Sequence, residues 1–273
     1  MDNVTIGFIG GGNMARSLIG GLIADRVEPA RVIVSEPDSE RRAHLQQAHG
    51  VRTTEHNQEV VDAAQVVVLA VKPQLMKPVC QALTGTDTGE RLFLSIAAGI
   101  RESALRSWLG EQTAIVRAMP NTPALVQSGA TALYANPRVT PAQHEEAESV
   151  LRAVGLTLWL DDEGLMDAVT ALSGSGPAYF FLVMEALERG AHALGLPTDA
   201  ARLLTLQTAF GAAKMALEAD EDCAALRHRV TSPGGTTEQA IAVLQAGGLE
   251  ALFEQALTAA RDRSAALAET LER

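Results

Sequence analysis

The chain has 273 residues, a formal net charge of −11, 47% hydrophobic residues and 20% charged residues. That length allows two domains with a sizeable core, and the acidic balance argues against nucleic acid, whose binding needs a basic face to displace counterions. No stretch is apolar over the length needed to span a membrane. The two cysteines, Cys80 and Cys223, have no CxxC spacing, and the six histidines are scattered. Neither a disulfide framework nor a metal site is therefore expected. Glycines break up the apolar runs near the N-terminus and no basic segment precedes them, so no signal peptide is read. A reducing, cytoplasmic setting is the expectation.

Val4–Ile9 is a short apolar run ending in glycines, the pattern of a buried strand meeting a tight turn. A helix over Met14–Asp25, a strand over Arg31–Ser35 and a helix over Ser39–His49 follow. Val66–Val71 is a β-branched run stopped by Pro73, and Leu92–Ile96 and Ala114–Ala118 repeat it around a helix at Glu102–Leu109. Strands alternating with helices imply right-handed crossovers and a parallel sheet. Thr131–Tyr134 and Leu156–Leu160 read as further strands near the sheet edge. Between them Thr140, Pro141 and Gln143 supply an N-cap, a proline at the first helical position and a capping-box partner. Beyond about Glu163 strand signals stop. Helices are expected over Pro177–Leu194, from a Thr198 cap to about Ala219, over 222–230, and twice more around Gly247-Gly248 as far as Leu271. The division is thus an α/β domain over 1–162 and an all-helical domain over 163–273. The second half is rich in Ala and Leu, which suits an extensive helical interface between subunits.

Gly10-Gly11-Gly12-Asn13-Met14-Ala15 fits G-x-G-x-x-A, directly after a strand and before a helix. Gly10 permits the turn, Gly12 admits backbone to a pyrophosphate, and Ala15 keeps helix and strand close. This is the fingerprint of a Rossmann-type dinucleotide site, with Ile9 to Met14 as its cradle. The second strand ends in Ser35-Glu36-Pro37-Asp38, with Arg41 and Arg42 a turn later. Glu36 would accept a hydrogen bond from a free ribose hydroxyl and repel a 2′-phosphate, which leans toward NADH. The arginines would either pair with a phosphate or form a solvated helix face, so the choice between NADPH and NADH stays open. Val71-Lys72-Pro73, Ala97-Ala98-Gly99 and Met119-Pro120-Asn121-Thr122-Pro123 follow later strands, where open α/β sheets bind ligands.

Two turns in the helical half have the same flavour. Leu172-Ser173-Gly174-Ser175-Gly176-Pro177-Ala178-Tyr179 reads as a loop leading into a helix, and it exposes hydroxyls and backbone N–H groups. Thr231-Ser232-Pro233-Gly234-Gly235-Thr236-Thr237 turns tightly and feeds the N-terminus of a further helix. A hydroxyl-rich turn of that kind is either a plain helix connector or an anion site suited to a carboxylate or phosphate.

Taken in order, the Gly-Gly-Gly-Asn-Met-Ala turn, Ala70-Val71-Lys72-Pro73-Gln74, the Met119–Pro123 segment, the Ser173–Tyr179 segment and the Thr231–Thr237 segment resemble the pyrroline-5-carboxylate reductases, the last enzymes of proline biosynthesis. The resemblance spans essentially the whole chain. It implies a Rossmann-type parallel-sheet domain followed by an all-α dimerisation domain, a dimer often assembled into a decamer, and NADPH- or NADH-dependent reduction of a cyclic imino acid. Carried over by residue, Gly10, Gly11, Gly12, Asn13 and Met14 would cradle pyrophosphate, and Asn57 would serve the adenosine end. Ala70, Val71, Lys72, Pro73, Ala97, Ala98 and Gly99 would line the nicotinamide ribose and ring, and Asn121 is a further cofactor-binding candidate. Ser175, Ser232, Gly234, Gly235 and Thr236 would hold the substrate, with the Thr237 hydroxyl near its ring nitrogen as the catalytic group. Two departures stand out: Glu36 where phosphate-binding relatives carry a small hydroxyl residue, and Cys223 where proline is common. Other readings are a β-hydroxyacid dehydrogenase, which needs a lysine soon after Gly174-Ser175-Gly176 where this chain has none before Lys214, and a non-catalytic nucleotide sensor.

Overall fold

The computed structural model describes residues 4–83 and 90–272. The first strand, β1 (Ile6–Ile9), is fully buried and runs into α1 (Asn13–Ala24). A single 3-10 turn precedes β2 (Val32–Ser35), and α2 (Ser39–His49) follows, capped by the Asp38 carboxylate and closed by left-handed Gly50. Next come β3 (Arg52–Thr54), α3 (Asn57–Ala63), β4 (Val66–Leu69) and α4 (Pro73–Ala82). Then β5 (Leu92–Ser95), α5 (Glu102–Leu109), β6 (Ala114–Met119) and β7 (Gly129–Ala135) lead to α6 (Pro141–Arg152) and β8 (Gly155–Trp159). The Thr140–Gln143 capping box forms as the sequence predicts.

The eight strands make one sheet in the order β3-β2-β1-β4-β5-β6-β7-β8. Every pairing is parallel except β6 with β7. Strand alternation sorts the core into two layers. Ile6, Phe8, Val32, Val34, Val66 and Val68 pack against Leu18 and Leu22 of α1, Leu45 of α2 and Val150 of α6. Ile9, Ile33, Val67, Leu69, Phe93 and Ile115 face Val60 of α3, Met76 and Cys80 of α4 and Leu105 of α5. Burial on both faces is why these strands read as continuous apolar runs.

Four local expectations are corrected. The 66–71 strand ends at Leu69, and Pro73 starts a helix rather than stopping a strand, since a proline at the first helical position gives up an N–H that has no partner anyway. The segment before Gly176 is not a loop: Met166–Val169 is a short helix, α7, and Thr170–Gly174 forms a π-turn closed by the Ser175 N–H on the Thr170 carbonyl at 2.9 Å. Thr198 does not cap the helix it begins, because Pro197 holds the cap position and no side-chain bond is made there. Elements β3, α3 and α4 were not anticipated at all.

The chain divides into two compact units, residues 1–175 with Ala259–Arg273, and Gly176–Thr258. The second contains α8 (Gly176–Ala193), α9 (Thr198–Glu218), α10 (Cys223–Arg229), α11 (Thr236–Ala246) and the first part of α12 (Leu249–Leu271). The end of α12 belongs to the sheet unit. There Ser264 donates to Asp167 at 2.6 Å, Glu272 pairs with Arg101 at 3.3 Å, and Ala268 is buried. Among the described residues no helix is long and apolar enough to cross a membrane, and no group of three His, Cys, Asp or Glu could hold a metal ion.

Candidate dinucleotide site and helical anion turn

Strand order reverses between β1 and β4, so the loops leaving their C-terminal ends part and open a crevice. The glycine-rich turn sits at that point. Gly10 has φ +100°, its N–H is held by the Ser35 carbonyl at 2.9 Å, and a Cβ there would lie 2.8 Å from the Ala70 carbonyl oxygen. A side chain at Gly11 would come within 2.9 Å of Leu45 Cδ1. Gly12 differs: nothing lies within 4 Å of where its Cβ would be, and it caps α1 with no side-chain bond. The space left at Gly12 and the N–H groups at the start of α1 suit the diphosphate of a dinucleotide.

The other rim residues come from neighbouring strand ends. Glu36, just past β2, is 5% exposed and its carboxylate is already bonded twice, accepting from Gly11 N–H at 3.0 Å and Asp38 N–H at 3.2 Å. Asn57 starts α3 and accepts from the Ser35 hydroxyl at 2.7 Å, which ties it to the end of β2. Ala70 and Val71 follow β4, exposed Lys72 caps α4, and Pro73 begins that helix. Ala97 to Gly99 follow β5, with Gly99 at φ +70°. The end of α12 lies beside this loop, for a Cβ on Gly99 would come 3.6 Å from Leu271 and 3.7 Å from the Ala268 nitrogen. All of these lie past the C-terminal ends of parallel strands, on the rim that the sequence indicates.

Asn121 plays a part that sequence reasoning missed. Its amide nitrogen donates to the Ser173 hydroxyl and carbonyl at 3.3 Å, while its oxygen accepts from Ala130 N–H at 2.9 Å. It therefore braces the end of β6 against β7 and the π-turn. Glu163 was likewise unforeseen. Its carboxylate accepts from the first amide of α5 at Glu102 and pairs with Arg117 of β6, which is 8% exposed. The only sign of this in the sequence is an arginine within an otherwise apolar strand.

In the helical unit the Thr231–Thr237 turn keeps its predicted form. Gly234 has φ +70°, and its N–H donates to the Glu238 carboxylate at 2.7 Å. Gly235 caps α11, and its N–H is held by the Ser232 carbonyl at 3.0 Å. The anion-facing capacity of the turn thus resides in the Ser232 hydroxyl and in the first amides of α11, at Thr236 and Thr237. Ser232 and Thr236 are exposed and Thr237 is half-buried.

Comparison with known proteins agrees with this organisation. Residues 163–267 match the family model described as pyrroline-5-carboxylate reductase dimerisation, and residues 5–99 match that of coenzyme F420-dependent NADP oxidoreductases. A pyrroline-5-carboxylate reductase of Pseudomonas aeruginosa is 56% identical, with 99% of each chain covered. The structure of a pyrroline-5-carboxylate reductase from Coxiella burnetii superposes with a TM-score of 0.92 at 48% identity, covering 97% of this chain and 98% of that one. A Plasmodium falciparum pyrroline carboxylate reductase with NADP bound gives 0.87 at 27% identity over 98% of this chain and 99% of its own. With relatives this close over the full length of both units, the chain belongs to the pyrroline-5-carboxylate reductase family.

Proposed function

We propose that this chain reduces 1-pyrroline-5-carboxylate to L-proline with NADH or NADPH. The observation that carries the reading is full-length identity of 56% to a reductase of that name, in a chain whose glycine turn sits at the strand-order reversal. A reduced nicotinamide supplies the hydride for the C=N carbon, and the protein supplies alignment and electrostatics. The turn from Gly10 to Met14 cradles the diphosphate through the first amides of α1, since the Gly10 and Gly11 N–H groups are already held by Ser35 and Glu36, with Glu36 and Asn57 at the adenosine end. Small residues at Ala70, Ala97, Ala98 and Gly99 leave room for the ring, and Val71, Lys72, Pro73 and Asn121 frame it. Ser175, the Ser232 hydroxyl and the Thr236 and Thr237 amides hold the imino acid by its carboxylate, and Gly234 and Gly235, whose own N–H groups are already bonded, shape the turn around it. The Thr237 hydroxyl orients the ring nitrogen or relays a proton to it. An imine that binds already protonated needs no strong acid, which fits the absence of lysine from α8.

In this reading residues 1–162 bind the dinucleotide and residues 163–273 bind substrate and self-associate as a dimer, with a decamer as the larger assembly. The enzyme works in the cytoplasm. Its test is loss of dihydronicotinamide absorbance with 1-pyrroline-5-carboxylate, in wild type and Thr237→Ala. Turnover with wild type and a fall in kcat/KM of about tenfold or more in the variant support the assignment. No turnover with either cofactor would sink the activity, and a variant within twofold of wild type would remove Thr237 from the chemistry.

A further inference from the structure

The Thr231–Thr237 turn is fastened on both sides. At its start the Thr231 N–H donates to the His228 carbonyl at 3.1 Å and the Thr231 hydroxyl to the Arg227 carbonyl at 2.7 Å, which ties it to the end of α10. On the other side Glu238, in the first turn of α11, reaches back so that its carboxylate accepts from Gly234 N–H at 2.7 Å. Gly234 has φ +70°, in the left-handed region that glycine tolerates best. Among the described residues the Glu238 carboxylate is the one partner of that N–H.

What this acid leaves alone is as telling as what it binds. Helices α2, α6 and α10 begin with a side chain that takes an amide of the first turn, from Asp38, Thr140 and Asp222 in that order. Helix α11 begins at Gly235 without such a bond, so the Thr236 and Thr237 amides keep their donors for a ligand. Glu238 serves the residue before the cap instead. A carboxylate there carries an electrostatic cost, because it shares the positive end of α11 with the anion that the turn is read to hold, and like charges repel. Arg227 and His228 line the same cavity of about 240 Å³ as Glu238, yet among the described residues neither makes an ion pair with it. The bond to Gly234 is therefore the structural reason for an acid at this position.

We infer that Glu238 is a positioning residue of the substrate turn: its carboxylate latches Gly234, and the latched backbone keeps the Ser232 hydroxyl and the Thr236 and Thr237 amides in the arrangement that the imino acid meets. The inference rests on the reading of this turn given above, as the holder of the substrate carboxylate. Two properties of one side chain then act in opposite directions. The acceptor oxygen favours binding by shaping the turn, and the negative charge opposes it. An amide side chain keeps the first and removes the second.

Steady-state kinetics on the full chain test it, with 1-pyrroline-5-carboxylate varied against wild type, Glu238→Ala and Glu238→Gln at saturating reduced dinucleotide. The Ala variant loses the latch, and its KM for the imino acid is expected to rise at least about fivefold, the worth of one hydrogen bond, with a smaller change in kcat. The Gln variant keeps an oxygen for Gly234 N–H, so its KM is expected to equal the wild-type value or to fall about twofold below it as the charge is removed. Helix capping alone would lower the unfolding midpoint and leave KM where it was. A smaller rise in the Ala variant overturns the inference, as does a kcat that falls by more than KM rises, or a Gln variant whose KM lies nearer to that of Ala than to wild type. If the Ala variant does not unfold cooperatively, the Gln variant decides alone: a KM at or below wild type supports the latch, and one above it overturns it. Wild type without turnover overturns the substrate reading and this role with it, whereas an unmoved KM in an active Ala variant overturns only the role of Glu238.

Discussion

The sheet unit and the helical unit spend their apolar residues in opposite ways. In the sheet unit Phe8, Phe93, Leu18, Leu45, Val67 and Met76 are all fully buried, and two layers of helices close over the strands. In the helical unit Ala201 is the one residue among the buried hydrophobics, while Phe180, Phe181, Leu203, Leu204, Phe210, Leu217 and Val243 are all more than half exposed. The same hydrophobic effect acts on both, worth about 25 cal/mol per Å² of apolar surface removed from water. The sheet satisfies most of it within one chain, leaving side chains such as Leu156 and Leu158 of edge strand β8 exposed. Helix α9 is apolar on several sides, and a helix of that kind is built for burial, so the helical unit needs a second copy to complete its core. The match of residues 163–267 to a dimerisation family agrees with that reading.

The sharpest way to break this contrast is to charge the open face. Leu203 and Phe210 lie seven residues apart on α9, on one side of the helix, and are 68% and 64% exposed. A Leu203→Asp, Phe210→Asp double variant is expected to fall from the wild-type assembly to a monomer in sedimentation analysis. An unchanged mass would show that α9 is not part of the interface. The matching change in the sheet unit has a different signature. Phe93→Ala should cost about 3–5 kcal/mol of stability, read by chemical denaturation, and leave the mass of the native assembly as it was. A loss below about 1 kcal/mol would mean that the sheet core is less closely packed than its burial indicates.

The two outer glycines of the nucleotide turn make a subtler pair. Gly10→Ala places a Cβ 2.8 Å from the Ala70 carbonyl at φ +100°, so it should lower both stability and dinucleotide affinity. Gly12→Ala meets nothing within 4 Å, and Gly12 has an ordinary φ of −69°. Its unfolding midpoint is expected to stay near wild type while affinity falls about tenfold or more, because the methyl would enter the space that the proposed reading gives to the diphosphate. If both variants lost stability alike, the openness at Gly12 would not be a ligand cradle.

Legibility varied within the sheet unit itself. Strands β1, β4 and β5 announced themselves because burial on both faces demands an unbroken run of apolar residues. Strand β3 did not, since Arg52-Thr53-Thr54 is three residues long at the sheet edge and is nowhere fully buried. Helix α4 was hidden by Pro73, which read as the stop of a strand although it costs nothing at the first position of a helix. The π-turn at Thr170–Gly174 was written in Ser and Gly and looked like a loop; Asn121, 52 residues away, reaches its Ser173. On the rim, residue types and positions past the strand ends could be read directly. The bonds they make could not, because the Glu36 carboxylate on Gly11 N–H depends on how β2 and the glycine turn are brought together.

The smallest expected effect separates the two units by their cysteines. Cys80 lies in α4 with no exposed surface, and burial pushes its thiol up to about 12 from an ordinary 9.0. Only the thiolate reacts, so at pH 8 a native chain should yield one fast thiol to an aromatic disulfide reagent, that of exposed Cys223 in α10, and two after denaturation. The sign of the linkage gives an independent check. Above pH 9 the unfolded state releases the Cys80 proton while the folded state retains it, so stability should decline between pH 9 and about 12. Cys80→Ala would remove that part of the decline. Should Cys223 also prove slow in the native assembly, the Leu203→Asp, Phe210→Asp monomer decides why. A thiol that turns fast there was covered by the second copy, whereas one that stays slow would mean that α10 is shielded within its own chain.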